Sequence, residues 1–369
     1  TRCEQMSGPD RPALVWQPEE LTAEWLSAAL HHSGALAVDR RVVEVERSFV
    51  GTGQMGDSVR CRLAFDGPTD APASVVAKLP AADETSRATG VQMRSYEKEV
   101  RFYGELAPTL GIRTPHCHLA DIRVEVGEFI LLLEDLAPAE QGDQLAGCSP
   151  DTAAVVLDEA VRLHAPRFGD AALVGMDVLG SRGAEEYEFL AQLMTGLWPG
   201  WVDRYADRLA PDVMAMGERF IDGIRRYYER TQGAAKTVVH GDFRLDNMLF
   251  GTAAGGDPVA VVDWQTVSLG DPLSDVAYFL GAGLTTDDRR AHERALVDGY
   301  VEGMSAAGVS LSPDEAWDRY RFWAFSGFHM AIVASMIVER TERGDDMFMA
   351  MASRHGRQIL DLDAESLLG

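Results

Sequence analysis

Residues 238–264 constrain this chain more than any other stretch. They read Val238-Val239-His240-Gly241-Asp242-Phe243-Arg244-Leu245-Asp246-Asn247-Met248-Leu249-Phe250, then seven glycine-rich residues from 251 to 257, then Pro258-Val259-Ala260-Val261-Val262-Asp263-Trp264. Two short apolar runs around a glycine-rich turn predict a hairpin of residues 248–250 and 259–262. Centred on Gly255, that hairpin sets Asn247 opposite Asp263, and opposed residues carry Cβ atoms about 4.5–5.5 Å apart. Two oxygen ligands at the open end of a hairpin suit Mg²⁺, which takes few protein carboxylates and completes its shell with water and phosphate. Asp242 lies five residues before Asn247, in the loop leading to the same end, where a carboxylate can accept the proton of an attacking hydroxyl. Each residue alone also reads as an ordinary turn residue, because Asn and Asp are common in loops. The ordered set, HxDxxxxN followed by an apolar strand ending in Asp, is far more specific.

Upstream, a helical spacing over residues 14–31 precedes two strand-like runs, 42–50 and 59–65. Between them lies Gly51-Thr52-Gly53-Gln54-Met55-Gly56, a GxGxxG match. By itself the match fits a dinucleotide fingerprint, a kinase glycine loop or a plain flexible turn. The flank separates them. Val59, Cys61, Leu63 and Phe65 alternate with Arg60, Arg62 and Ala64, which is strand periodicity, whereas a dinucleotide loop opens a helix. A strand–glycine loop–strand hairpin is the element that covers nucleotide phosphates in kinases.

A third strand, 74–80, carries Lys78 in an apolar run, and a lysine inside a buried strand requires an anionic partner. A helix over 90–110 supplies one. Stepping 100° per residue groups Tyr96, Val100, Tyr103, Leu106, Ala107 and Leu110 on one side with Glu99 in their midst, while Glu97, Lys98, Arg101 and Glu105 face away. A carboxylate centred on an apolar face should be paired, and Lys78 is its expected partner. Strands at 117–126 and 128–133, joined at Gly127, complete the region. Helix formers dominate beyond residues 134–140.

With 58 acidic against 34 basic residues and a formal charge of −24, the chain is a poor nucleic-acid or anionic-membrane binder, since phosphate contacts need clustered Lys and Arg. The four cysteines, Cys3, Cys61, Cys117 and Cys148, are scattered without CxxC spacing, which argues against a disulfide framework or a zinc site. No apolar export segment is visible. The most apolar helical stretch, 322–338, is interrupted by Ser326, His329 and Ser335 and falls short of a membrane span of about 18 apolar residues. These readings place the protein in the cytoplasm.

Taken together, the glycine hairpin, Lys78, Glu99 and the 240–263 segment resemble the aminoglycoside/choline phosphotransferase superfamily, whose members share the protein-kinase fold. The resemblance runs from about residue 40 to at least residue 340. Glu99-Val100-Arg101-Phe102-Tyr103, Leu132-Leu133-Glu134-Asp135-Leu136 and Leu163-His164-Ala165 look like the ecdysteroid-kinase-like branch and its bacterial relatives. The resemblance implies an α+β bilobal fold: an antiparallel-sheet nucleotide-binding lobe, residues 1–136, and a mostly helical lobe, residues 137–369, with the catalytic loop and acceptor site. It implies ATP and Mg²⁺ as cofactors, Asp242 as catalytic base, Asn247 and Asp263 as metal ligands, and Lys78 with Glu99 as the phosphate-orienting pair. Gly51, Gly53 and Gly56 would form the phosphate loop, and the backbone near Glu134 and Leu136 the adenine hinge. His240 would brace the catalytic loop and Asp275 cap its backbone. Trp264 stands where protein kinases have Phe, Ser58 and then Val59 follow the last loop glycine where kinases place a valine two residues on, and no Ala-Pro-Glu segment exists. Only seven residues separate Asp263 from Asp271, too few for the activation segment that holds a peptide.

The expected activity is therefore an ATP-dependent kinase of a small-molecule hydroxyl. A catalytically inactive nucleotide-binding protein of the same fold is the alternative, and a dehydrogenase resting on 51–56 the third. Aromatics of the later helices, among them Trp198, Tyr228 and Trp323, suit an apolar alcohol acceptor, whereas the acidic surplus suits an aminoglycoside or other polyamine. His164 reads as a structural hydrogen-bonder. Nothing in the sequence specifies the oligomeric state.

Overall fold

The computed structural model describes residues 11–51, 56–180, 183–232, 236–338 and 340–368. Gly53 of the glycine loop and Cys3 lie outside the described residues. The chain forms two units. The first comprises Thr1–Pro108, Thr114–Ala137 and Asp263–Thr266, and the second Thr109–Arg113, Pro138–Val262 and Val267–Gly369.

Alternation builds the first unit. Strands β1 (Val42–Phe49), β2 (Gly56–Phe65), β3 (Ser74–Pro80), β4 (Cys117–Arg123) and β5 (Glu128–Glu134) form one antiparallel sheet in the order β1-β2-β3-β5-β4. Val59, Cys61, Val75, Ala77, Leu79, Ile130 and Leu132 line one face with Leu26, Ala29 and Leu30 of helix α1 (Ala23–His32), which Thr22 caps. Phe129, Ile130, Leu131, Leu132 and Leu133 are all buried. Strand β5 reads as a continuous apolar run because both of its faces are covered. On β3, Lys78 alternates with Ala77 and Leu79 and so emerges on the face opposite α1.

The continuous helix expected over 90–110 is instead broken. Helix α2 (Glu84–Gln92) ends before Arg94, which adopts φ 55°, and α3 (Ser95–Arg101) runs on into a π-turn, Phe102–Leu106, and a 3₁₀ turn, Ala107–Thr109. The left-handed residue lets the Tyr96 ring fold back onto Gly90, where an added Cβ would lie 2.6 Å from Tyr96 Cζ. Arg94 then forks onto Glu97 at 2.8 and 2.9 Å, so Glu97, expected on the outward face, is buried.

The second unit is mostly helical. It contains α4 (Pro150–His164), α5 (Ala184–Tyr205), α6 (Pro211–Asp222), α7 (Ile224–Arg230), α8 (Pro272–Gly283), α9 (Thr286–Ala306), α10 (Pro313–Ile337) and α11 (Glu342–Asp361). Its core gathers Trp201, Phe220, Tyr227, Tyr278, Phe325, Phe328 and Met351. Short strands β6 (Glu140–Gln141), β8 (Met248–Phe250) and β9 (Ala260–Val261) form one small sheet, and β7 (Thr237–Val239) pairs with β10 (Ser268–Gly270). Among the described residues no helix is long and apolar enough to cross a membrane.

The β8–β9 hairpin corrects one expectation. Met248 pairs with Val261 and Leu249 with Ala260, and the Val262 N–H donates to the Asn247 carbonyl at 2.9 Å. Asn247 therefore stands opposite Val262, one position short of Asp263. The cause is the turn. Thr252 and Gly255 close a tight bridge, and Gly255 and Gly256 take φ of 131° and 101°, so the loop is not centred on Gly255 and the ladder shifts by one residue.

Candidate active site

Two clusters hold the chemistry, one in each unit. In the first unit, Lys78 Nζ donates to Glu99 Oε1 at 2.7 Å and to Asp263 Oδ1 at 3.0 Å. Glu99 is 1% exposed, a burial that a carboxylate tolerates only when paired. Burial alone would pull the Lys78 ammonium down, but the charges of Asp263 and Glu99 outweigh it and hold the pKa above the ordinary lysine value. Gln265 adds a hydrogen bond to Glu99 Oε2 at 3.4 Å. Asp263 sits at φ 66°, a strained conformation for a residue with a Cβ. The next residue explains how it is held: the Trp264 ring stacks on Phe102 at 3.7 Å, and its Nε1 donates to Thr114 Oγ1 at 3.0 Å.

The other residues expected to meet nucleotide are also in this unit. Gly51 adopts φ 77°, and a Cβ on Gly56 would lie 2.9 Å from the Leu79 carbonyl oxygen, so both positions favour glycine for a physical reason. Glu134 spends its side chain on the His116 N–H at 3.0 Å. The following Asp135 takes a fork from Arg60 at 2.7 and 2.9 Å and a hydrogen bond from Ser74 at 2.7 Å. The strand leading to Leu136 is thus pinned by its side chains.

In the second unit, the loop after β7 is organised from beneath by Asp275 on α8. Its carboxylate accepts from the His240 N–H at 2.7 Å and the Gly241 N–H at 3.0 Å. It also faces His164 Nε2 at 3.2 Å, while His164 Nδ1 meets the Tyr300 hydroxyl at 2.9 Å. His240 accepts the Asp242 N–H on Nδ1 at 3.2 Å, and its Nε2 lies 3.0 Å from the Val262 carbonyl. That assigns the proton to Nε2.

Asp242 is surrounded by donors. Arg244 Nε lies 3.0 Å from both carboxylate oxygens, the Tyr278 hydroxyl donates to Oδ1 at 2.8 Å, and Asn247 Nδ2 donates to Oδ2 at 2.8 Å. Burial pushes the Asp242 pKa up, but the Arg244 charge and the Tyr278 hydrogen bond outweigh it and hold the carboxyl below its ordinary value. Burial and the nearby Asp242 charge raise the Tyr278 phenol well above normal, so it remains a donor. Asn247 Nδ2 also donates to the Asp242 carbonyl at 2.8 Å. The amide is thereby oriented, and Oδ1 is the atom left for a cation.

Arg244 and Tyr278 are neighbours of Asp242 that the sequence reading missed. Both carried a signal. Arg244 stands two residues after Asp242 and is itself extended, at φ −141° and ψ 163°, and Tyr278 stands three residues after Asp275 on one helix, hence on the same face. Among the described residues no group of three or more His, Cys, Asp or Glu side chains forms a metal cluster, and Cys61, Cys117 and Cys148 are free thiols.

Residues 69–323, more than half of the chain, match the phosphotransferase enzyme family. The mouse protein acyl-CoA dehydrogenase family member 10 is 31% identical over 155 residues, which is 39% of this chain and 14% of the mouse protein. The chain therefore corresponds to a small part of that curated relative. Among solved structures, a microcompartment-associated aminopropanol kinase superposes with a TM-score of 0.53 at 13% identity, covering 88% of this chain and 94% of the other. The Plasmodium vivax ethanolamine kinase superposes with a TM-score of 0.52 at 9% identity, covering 89% and 87%. These likenesses establish the protein-kinase-like fold.

Proposed function

The chain belongs to the phosphotransferase enzyme family, and from that premise we propose that it is an ATP-dependent small-molecule kinase that phosphorylates a hydroxyl group. The observation that carries this reading is Lys78 held between Glu99 and Asp263. A strand lysine fixed by a helix glutamate is the part that orients nucleotide phosphates in kinases. Every other chemical position expected of such an enzyme is also filled, which favours it over an inactive nucleotide-binding relative.

In the proposed reaction, Asp242 accepts a hydrogen bond from the acceptor hydroxyl and aims its oxygen at the γ-phosphorus. The O–P bond forms, the bond from phosphorus to the β,γ-bridging oxygen breaks with its electron pair leaving on ADP, and the hydroxyl proton passes to Asp242. Lys78 steadies the phosphates, with Gly51 and Gly56 beside them and the backbone at Glu134 and Leu136 meeting the adenine. Asn247 Oδ1 and the half-exposed Asp263 carboxylate are the donors that suit Mg²⁺. Held there, such a cation would supply positive charge against the negative charge that develops on the phosphate oxygens. Most of the rate acceleration then comes from positioning.

The partner in this reading is a small molecule and not a nucleic acid or membrane, in a cytoplasmic protein. An acceptor screen tests it: aminoglycosides, macrolides, sterols, choline-like alcohols, sugars and hydroxyacyl thioesters with Mg-ATP, followed by ADP release. Thioesters enter because the curated relative's name contains acyl-CoA. The expected result is acceptor-dependent ADP at least ~10-fold above the water background, well within the reach of acid–base and proximity effects. Nucleotide binding without transfer to any acceptor would favour the inactive alternative, and no binding of Mg-ATP would remove the proposal.

A further inference from the structure

The Asp242 carboxylate is already full. An ionised carboxylate offers about four lone-pair sites. Four contacts occupy them: two from Arg244 Nε at 3.0 Å, one from the Tyr278 hydroxyl and one from Asn247 Nδ2. An acceptor hydroxyl needs one of these sites, so a donor must yield. Tyr278 is 3% exposed on α8, a helix buried along nearly its whole length, and Asn247 is 5% exposed with its Nδ2 also tied to the Asp242 carbonyl. Neither has room to withdraw.

Arg244 does. Its single Nε–H is split between two oxygens, its side chain is 18% exposed, and its NH1 has a separate anchor on Asp246 at 2.9 Å, with Met347 Sδ at 3.0 Å. The second terminal nitrogen makes no hydrogen bond among the described residues. The guanidinium can therefore release one Asp242 oxygen while remaining attached at Asp246, and it has donors to spare.

We propose that Arg244 is a second catalytic residue: it cedes a site on Asp242 to the acceptor hydroxyl and turns its free N–H groups onto the phosphoryl group in transfer. This rests on the kinase reading above. Distances support it. A hydroxyl within about 3 Å of Asp242 and about 3–3.5 Å from phosphorus puts the phosphoryl within about 6.5 Å of the carboxylate, which is reach for a guanidinium already against it. Planar guanidinium matches phosphoryl oxygens by two parallel hydrogen bonds, which an ammonium cannot do. As the O–P bond forms and the bond to ADP breaks, negative charge spreads over the equatorial oxygens, and Arg244 is placed to neutralise it.

Calorimetric titration with Mg-ADP, alone and with fluoroaluminate as a mimic of the phosphoryl in flight, tests the assignment without an acceptor. The wild type should bind at least ~10-fold more tightly when fluoroaluminate is present, of the size that single charge-stabilising donors contribute. Arg244→Gln should bind Mg-ADP within about threefold of wild type, since such uniform binding does not involve the residue, yet lose the tightening. Arg244→Lys keeps the ion pair with Asp242, guards against a misfolded Gln variant, and should retain only part of the gain. Full tightening in either variant overturns the proposal, as does a wild type that binds Mg-ADP but ignores fluoroaluminate; both leave nucleotide binding intact. A wild type that binds no Mg-nucleotide overturns the kinase reading and this proposal together.

Discussion

The Tyr278 hydroxyl donates to Asp242 Oδ1 across 2.8 Å, from the same helix whose Asp275 holds the backbone of the His240–Gly241 turn. Helix α8 thus sets both the path of the loop and the orientation of its carboxylate. Tyr278→Phe removes one charge-assisted hydrogen bond and almost no volume. Turnover should fall about 3- to 10-fold with acceptor KM nearly unchanged, the share of one such bond expressed as orientation. Steady-state kinetics checks this; a pure KM effect would place Tyr278 in acceptor binding instead.

Asp242→Asn retains the shape of the catalytic loop but can neither take a proton nor pair with Arg244. Turnover should drop by at least ~10², while Mg-ATP affinity measured by titration stays near that of the wild type. Unchanged turnover would falsify the base assignment.

The Lys78–Glu99 pair gives a stability test that is separate from catalysis. Lys78→Met strands a carboxylate that is 1% exposed, at a cost of about 3–5 kcal/mol for breaking a buried pair. Lys78→Met/Glu99→Gln removes the uncompensated charge and should recover at least half of that loss in urea unfolding. Equal stability of the single and double variants would contradict a buried, interacting pair.

His355 is the acid-sensitive point of the helical unit. It is fully buried, with Nδ1 3.0 Å from Gln358 Oε1, and it packs where Gly281 of α8 and Gly327 of α10 leave no room for a Cβ. Burial pulls its pKa down to about 4, against about 6.5 in an unfolded chain. Its folded-state value is depressed, so below pH ~6.5 the unfolded chain takes up a proton that the folded one refuses. Stability is complete above that pH and is lost as pH falls toward 4, by about 2 kcal/mol at pH 5. Urea midpoints at pH 7 and pH 5 should differ less in His355→Gln than in the wild type. His118, also pulled down to about 4 by burial, adds the same sign of dependence in the first unit and is common to both proteins.

Much of the fold is visible in periodicity. The alternation in 59–65 and 74–80 emerges as β2 and β3, and the stripe centred on Glu99 points to the buried carboxylate beside Lys78. The misreadings share one origin. A 100° step assumes an unbroken helix and cannot anticipate Arg94 at φ 55°, the turn that accompanies the packing of Tyr96 on Gly90. A symmetric loop likewise cannot anticipate two positive-φ glycines that move the β8–β9 ladder by one residue. Backbone conformation at single residues is decided by packing from elsewhere.

The amino-acid order alone determined which chemical groups this protein owns and roughly which elements carry them, because side-chain type and short-range hydrophobic period are local properties. Only the tertiary structure decided how those groups are spent. It pairs Lys78 with Asp263 across 185 positions of chain and fills the Asp242 carboxylate with Arg244 and Tyr278. Hydrogen bonds form within about 3 Å, and that precision comes from helix packing and turn strain, which no local pattern encodes.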